Sequence, residues 1–98
     1  MDYKTYYAEA LATMQVSRWL ILSDDIAWCK ENFNLEVVDE PDELMGLALM
    51  SLCHGGAIIA NSTYSWWGAM LIKAPVIYPK RWLQNTVPLI FPSHWLPL

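Results

Sequence analysis

Apolar residues along this chain alternate between helix-spaced groups and short continuous runs. An amphipathic helix is predicted at the start, where apolar residues recur at intervals of three and four: Tyr3, Tyr6, Tyr7, Ala10, Leu11 and Met14. The run "RWLILS" over 18–23 has the length of a strand. Helical spacing returns in "DDIAWCKENF", with Asp24 or Asp25 as the N-cap.

The same alternation continues through the second half of the chain. "LEVVD" over 35–39 predicts a second strand, and Pro41 opens a helix with an acidic first turn. One face of that helix carries Leu44, Leu47, Ala48 and Ser51. "AIIA" over 57–60 predicts a third strand, Ser62 begins a helix with two adjacent tryptophans, and "PVIYP" over 75–79 predicts a fourth strand.

These elements follow one another in the order α-β-α-β-α-β-α-β, which favours an α/β fold. We predict a single Rossmann-like domain over 1–98, with a mainly parallel four-stranded sheet and flanking helices. Residues 81–98 are rich in proline and bulky apolar side chains, and an irregular tail is predicted there. The 98 residues, of which 55% are hydrophobic, suffice for one core.

Composition and charge argue against several classes of protein. No apolar run reaches the roughly 18 to 20 residues of a membrane span, so we expect a soluble cytoplasmic protein, with peripheral attachment to a membrane left open. The net charge is −4 and the six Lys and Arg are scattered, so no nucleic-acid partner is expected. The two cysteines, Cys29 and Cys53, lie in apolar helical patterns and predict reduced thiols without a metal.

Two polar loops should lie beyond the carboxyl ends of the strands, where open parallel sheets bind ligands. The first contains Asp24 and Asp25, and the second contains Asn61, Ser62 and Thr63. Ser62 and Thr63 fall at a helix start, where unpaired N–H groups and the helix dipole suit a phosphate. Ser, Thr and Asp are also common N-caps, so a purely structural role stays open for both loops.

Several motifs in this order resemble the carboxyl-terminal part of the bacterial alpha-1,2-fucosyltransferase family, glycosyltransferase family 11. They are "SDD" followed by Trp-Cys-Lys, the helix end "LMSLC", the segment "IIANSTYSWWGA", and a closing "VIYPKRW". Together they cover most of residues 18–95. The combination of "ANSTYSWW" with the upstream "SDD" is the specific part of the signal.

This resemblance implies an inverting transfer of L-fucose from GDP-fucose to a hydroxyl of an acceptor glycan, without a metal or other cofactor. It implies a fold equivalent to the carboxyl-terminal, donor-binding half of a glycosyltransferase of the GT-B type. By the same resemblance, the diphosphate contacts are assigned to Asn61, Ser62, Thr63 and Ser65. Asp24 and Asp25 are assigned to the nucleoside side of the donor.

One signature of the family is missing from these residues. The His-x-Arg-x-Gly-Asp segment, whose arginine is expected to stabilise the leaving GDP, does not occur, and Arg18 and Arg81 stand in other contexts. The acceptor glycan is expected to bind through an amino-terminal domain that this chain lacks. We therefore expect a fragment or truncated form of the transferase, with catalytic residues unknown. The alternative is a non-catalytic module that binds GDP or a nucleotide sugar, or that serves assembly.

Aromatic residues are unusually frequent in so short a chain. Six tryptophans and five tyrosines are more than a core of this size readily buries. We therefore expect some of this aromatic surface to be exposed and to support self-association.

Overall fold

A computed structural model describes residues 3–16, 18–23, 25–39, 42–60, 62–80 and 90–98. The helices are α1 (Tyr3–Thr13), α2 (Ile26–Asn32), α3 (Glu43–Ser51) and α4 (Thr63–Met70). The strands are β1 (Leu20–Leu22), β2 (Glu36–Val38), β3 (Ala57–Ile58), β4 (Val76–Tyr78) and β5 (Leu96–Pro97). The predicted α/β class and the alternation of helices and strands are confirmed.

The strands are parallel, as predicted, but they are divided between two sheets. β1 pairs with β2 with Ile21 opposite Val37. β3, β4 and β5 form a second sheet in that order. Across the described ranges, therefore, the four predicted strands do not form one four-stranded sheet. Each strand is only two or three residues long, which limits the pairing that it can support.

The tail predicted as irregular contributes part of this second sheet. Leu96 and Pro97 pair in parallel with Ile77 and Tyr78, and the N–H of Leu98 donates to the carbonyl of Tyr78 at 3.0 Å. The sequence pattern did not predict this strand because the strand contains Pro97, and proline has no N–H group to donate to a neighbouring strand. A proline is tolerated here because β5 lies at the edge of the sheet.

The core consists of two groups of side chains on the β3–β4–β5 sheet. One group joins α4 and the tail to the sheet and contains Ile59, Trp66, Ala69, Ile72, Ala74, Val76 and Trp95. The other joins α1 to the sheet and contains Tyr6, Ala10 and Ile77. Tyr6 and Ala10 belong to the predicted apolar stripe of α1, which is thereby confirmed as a buried face.

Polar contacts fix two of these packed elements. The buried hydroxyl of Tyr6 lies 2.5 Å from the carbonyl oxygen of Ile59 and 3.2 Å from that of Ile77, so α1 is tied to both β3 and β4. The indole Nε1 of Trp66 donates to the carbonyl of Ile90 at 3.0 Å. This bond attaches the tail to α4 across a separation of 24 positions in the sequence.

The predicted apolar face of α3 is largely exposed. Leu44 on α3 is 76% exposed, and Ala48 and Ser51 on the same predicted face are exposed as well. Gly46 is the buried residue of α3 instead.

Cys29 is a buried free thiol and Cys53 is a half-buried one. Of the helices in the described ranges, none is long and apolar enough to cross a membrane.

Candidate functional site

Ser62 and Ser65 form a closed hydrogen-bonded turn at the start of α4. Ser62 is the N-cap, with extended backbone angles, and its Oγ accepts a bond from the backbone N–H of Ser65 at 3.1 Å. The two hydroxyl oxygens are 2.8 Å apart, and the Ser65 hydroxyl also lies 2.9 Å from the carbonyl of Ala60. The predicted helix start at Ser62 is confirmed, and the sequence achieves it because serine is among the preferred N-cap residues.

Two backbone donors of this turn have no partner inside the helix. The N–H of Ser65 bonds to the Ser62 hydroxyl, and the N–H of Trp66 bonds to the Ser62 carbonyl at 3.1 Å. The two donors without a partner in the helix are the N–H groups of Thr63 and Tyr64, because the first N–H groups of a helix have no acceptor one turn before them. They are the groups that an anion could accept from at this end of α4. Asn61 and the side chain of Thr63 lie outside the described residues.

Tyr64 connects the start of α4 to the start of α3. Its hydroxyl donates to the carbonyl of Glu43 at 2.9 Å, across a separation of 21 positions. The hydroxyl lies over Gly46, where a Cβ atom would collide with it. Burial raises the pKa of the Tyr64 phenol, and the negative charges of Glu43 and Asp42 raise it further, which favours the neutral donor form. The sequence pattern did not identify this contact.

The acidic start of α3 therefore lies close to the start of α4. Asp42 is the N-cap of α3, and its Oδ1 accepts from the N–H groups of Leu44 and Met45 at 2.9 and 3.3 Å. Glu43 follows in the first turn. The two carboxylates therefore lie near the Tyr64 hydroxyl, and their negative charge favours its neutral form.

Asp25 has a capping role in a different part of the molecule. Its Oδ1 accepts from the N–H of Trp28 at 3.2 Å, so it is the N-cap of α2. Its own N–H donates to the Ser23 hydroxyl at 3.0 Å. Asp24 lies outside the described residues. Within the described part of the chain, no hydrogen bond joins Asp25 to Ser62 or Ser65.

A cavity of about 330 Å³ lies at the end of the larger sheet opposite to the Ser62–Ser65 turn. Its walls are formed by residues 13–16 at and just after the end of α1, by Gly55, by residues 75–77, and by His94 and Leu96. These residues surround the amino ends of β3, β4 and β5, whereas Ser62 follows the carboxyl end of β3. The cavity and the Ser62–Ser65 turn are therefore separate features. No sequence signal pointed to the cavity, because its walls come from four distant segments.

Titratable side chains of the kind that bind metals are dispersed. In the residues that the structure describes, no group of three or more His, Cys, Asp or Glu side chains is placed to hold a metal ion. The expectation that the chemistry needs no metal remains a prediction.

Comparison with known proteins gives a family match over most of the chain. The sequence model of a family described as "Glycosyl transferase family 11" matches residues 2–84. No solved structure matches the chain.

Two similar proteins come from Escherichia coli. An "O-antigen biosynthesis glycosyltransferase WbnK" is 38% identical over 76 residues, which cover 67% of this chain and 25% of that protein. An "Alpha-1,2-colitosyltransferase" is 34% identical over 79 residues, which cover 68% of this chain and 27% of that protein. The chain therefore spans about a quarter of the length of the curated relatives that it matches.

Proposed function

Because the chain belongs to glycosyl transferase family 11, we propose that it forms the donor-binding part of an enzyme that transfers L-fucose from GDP-fucose to a glycan hydroxyl. The family match over residues 2–84 carries this proposal. In such a transfer the acceptor oxygen attacks the anomeric carbon of the sugar, and the bond from that carbon to the phosphate oxygen breaks. The electron pair leaves with GDP, so the protein must stabilise negative charge on the departing diphosphate.

The Ser62–Ser65 turn is the proposed contact for that diphosphate. The hydroxyl of Ser62 holds the first turn of α4 in place, and the N–H groups of Thr63 and Tyr64 are then oriented as donors at the helix start. Asn61 and the side chain of Thr63 complete the proposed contact set. In this proposal the donors lie where charge develops, which is the usual means of stabilising a leaving oxyanion.

Asp25 and Asp24 are proposed on the nucleoside side of the donor. One carboxylate oxygen of Asp25 caps α2 through the N–H of Trp28. A carboxylate has a second oxygen, and this oxygen provides an acceptor for a hydroxyl or amino group of the nucleoside.

A second candidate for the donor sugar is colitose. One of the two E. coli relatives is by name an alpha-1,2-colitosyltransferase. The two sugars would be distinguished by the sugar pocket, whereas the diphosphate contacts at Ser62 and Thr63 would be shared. The choice is tested by comparing the binding of GDP-fucose and GDP-colitose to the chain by calorimetry.

Binding without transfer is the alternative for the 98-residue chain by itself. No His-x-Arg-x-Gly-Asp segment is present in the sequence, and the chain spans about a quarter of the length of its relatives. We therefore propose that the isolated chain binds the donor or GDP but does not transfer sugar by itself. The acceptor glycan, its binding domain, the absence of a cofactor and the cytoplasmic location all stay predictions.

The hydroxyls of the turn are tested by calorimetry with GDP, GMP and guanosine. We expect the double change Ser62→Ala with Thr63→Ala to weaken GDP binding about tenfold and to change guanosine binding little, because only GDP carries the diphosphate. Loss of the Ser62 cap should also lower the unfolding free energy by about 1 kcal/mol, so circular dichroism must first show that the variant is folded.

Ser51→Ala is the matched control, because its hydroxyl bonds to the Ala48 carbonyl at the far end of α3. Equal losses for GDP and guanosine would mean that the two hydroxyls only cap the helix. Failure of the unmodified chain to bind GDP at millimolar concentration would contradict the donor-site proposal itself.

We also propose that the chain self-associates through the exposed face of α4. Trp67, Met70 and Leu71 are 54%, 42% and 53% exposed and lie at the i, i+3 and i+4 positions of one helix face. Burying this uncharged face against a second copy would remove apolar surface from water.

Light scattering over a wide concentration range measures this association. The change Trp67→Gln with Leu71→Gln should reduce it at least several-fold, because the face would lose most of its apolar area. Trp28→Gln, on α2, is the control and should leave association unchanged, since Trp28 is not part of the α4 face. A purely monomeric unmodified chain at all concentrations would refute the proposal.

A further inference from the structure

Lys80 lies at the same edge of the larger sheet as the Ser62–Ser65 turn. Ile58 is opposite Ile77 in the parallel pair, and the N–H of Ile59 continues the ladder to the Ile77 carbonyl at 3.0 Å. Tyr78 is therefore opposite Ile59. Lys80 is two residues beyond Tyr78, and Ser62 is three residues beyond Ile59. Both residues therefore follow the carboxyl ends of neighbouring parallel strands, at the same end of the sheet.

The backbone at Lys80 is fixed by the tail. The N–H of Lys80 donates to the carbonyl of Leu98 at 3.3 Å, and the N–H of Leu98 donates to the carbonyl of Tyr78 at 3.0 Å. These bonds on both sides of Leu98 extend the β4–β5 pairing to residue 80. The position of Lys80 relative to β3 is therefore set by the sheet and not by a free loop.

The charge of Lys80 is available for a ligand. Its side chain is exposed, and in the described part of the chain it forms no ion pair with a carboxylate. Arg18, by contrast, is paired with Glu36 at 2.7 Å next to the smaller sheet. Lys73 precedes β4 and so lies at the opposite edge of the larger sheet. Lys80 is thus an exposed cation at the end of the larger sheet where the turn at Ser62 lies.

We propose that Lys80 binds the diphosphate of the sugar nucleotide next to the start of α4, an inference that rests on the proposed donor-binding function. Its ammonium group supplies a positive charge that attracts the negatively charged diphosphate. An ammonium on a flexible four-carbon stem is suited to contact more than one phosphate oxygen. The electron pair of the breaking bond goes to the phosphate oxygen, and the positive charge of Lys80 offsets part of the negative charge that develops there.

The experiment measures the binding of inorganic pyrophosphate, GDP and guanosine to the 98-residue chain and to three variants. Lys80→Met should weaken both pyrophosphate and GDP about tenfold or more, leave guanosine within about twofold, and reduce the dependence of GDP binding on salt. Lys80→Arg should recover much of the loss because it keeps the charge. Lys73→Met, an exposed lysine at the other edge of the sheet, should bind all three ligands as the unmodified chain does.

The outcomes separate this inference from the proposed function. If the unmodified chain binds GDP and Lys80→Met binds it equally well, the role of Lys80 is refuted while the donor site stands. Equal losses from Lys80→Met and Lys73→Met would also refute it, because they would indicate a general effect of net charge. If the unmodified chain does not bind GDP or pyrophosphate, the donor site and the role of Lys80 are refuted together.

Discussion

Trp95→Ala is expected to lower the unfolding free energy of this chain by about 3–5 kcal/mol, the usual cost of removing a buried aromatic side chain. Trp95 is 5% exposed and belongs to the core group between α4 and the larger sheet. Its ring centroid lies 6.1 Å from that of Tyr78 and 6.1 Å from that of Phe91. Since domains are stable by only about 5–15 kcal/mol, this single change should remove a large part of the stability.

Chemical denaturation followed by far-ultraviolet circular dichroism measures this effect. Trp67→Ala is a matched control, because it makes the same chemical change at a side chain that is 54% exposed. At protein concentrations low enough to avoid association, the control should change the unfolding free energy by less than about 1 kcal/mol. A small loss for Trp95→Ala, similar to that of the control, would show that the tail does not pack on β4 as described here.

Gly56→Ala is expected to destabilise the chain by at least about 2 kcal/mol. Gly56 has a φ of 133°, a backbone conformation that costs other residues about 1–3 kcal/mol. A Cβ atom there would lie 2.8 Å from the carbonyl oxygen of Pro75 and 3.0 Å from the sulfur of Met14. The Pro75 carbonyl accepts the 2.9 Å bond from the N–H of Ala57 that begins the β3–β4 ladder, so relief of the clash would disturb this pairing.

Thermal and denaturant unfolding of this variant should be compared with Gly55→Ala. The neighbouring glycine has no positive φ, and a Cβ atom on it would meet the Val16 side chain at 3.1 Å and no backbone atom within 4 Å. We expect its cost to be clearly smaller. Equal stability of the two variants would contradict the strained conformation at Gly56. A rise in stability for Gly56→Ala would do so more strongly, because alanine also loses less backbone entropy on folding.

The local parts of the candidate site followed from the sequence. The sequence predicts that Ser62 begins α4 and that Asp24 or Asp25 caps α2, and Ser62 and Asp25 each accept an N–H bond from three residues further on. Such bonds depend on residues within one turn of helix, so their signal is contained in a few neighbouring letters. Whether the same residues also bind a diphosphate is a question that capping preference does not answer.

Other parts of the site depend on residues that are distant in the sequence. The Tyr64 hydroxyl bonds to the Glu43 carbonyl 21 positions away, and this contact brings the acidic start of α3 to the Tyr64 side chain. Lys80 becomes relevant only through the register of β3 with β4. No periodicity in the sequence specifies these distances, because they are set by how the helices and strands pack.

The sequence by itself determined the alternation of helices and strands, their parallel pairing, the start of α4 and the family. These follow from hydrophobic spacing, from capping chemistry within single turns, and from motifs in a fixed order. Only the tertiary structure decided that the strands divide between two sheets, that the proline-containing tail adds an edge strand, and that Trp66 is buried while Trp67 is exposed. Adjacent residues of a helix point about 100° apart, so which of two tryptophans enters the core depends on the surface against which the helix packs.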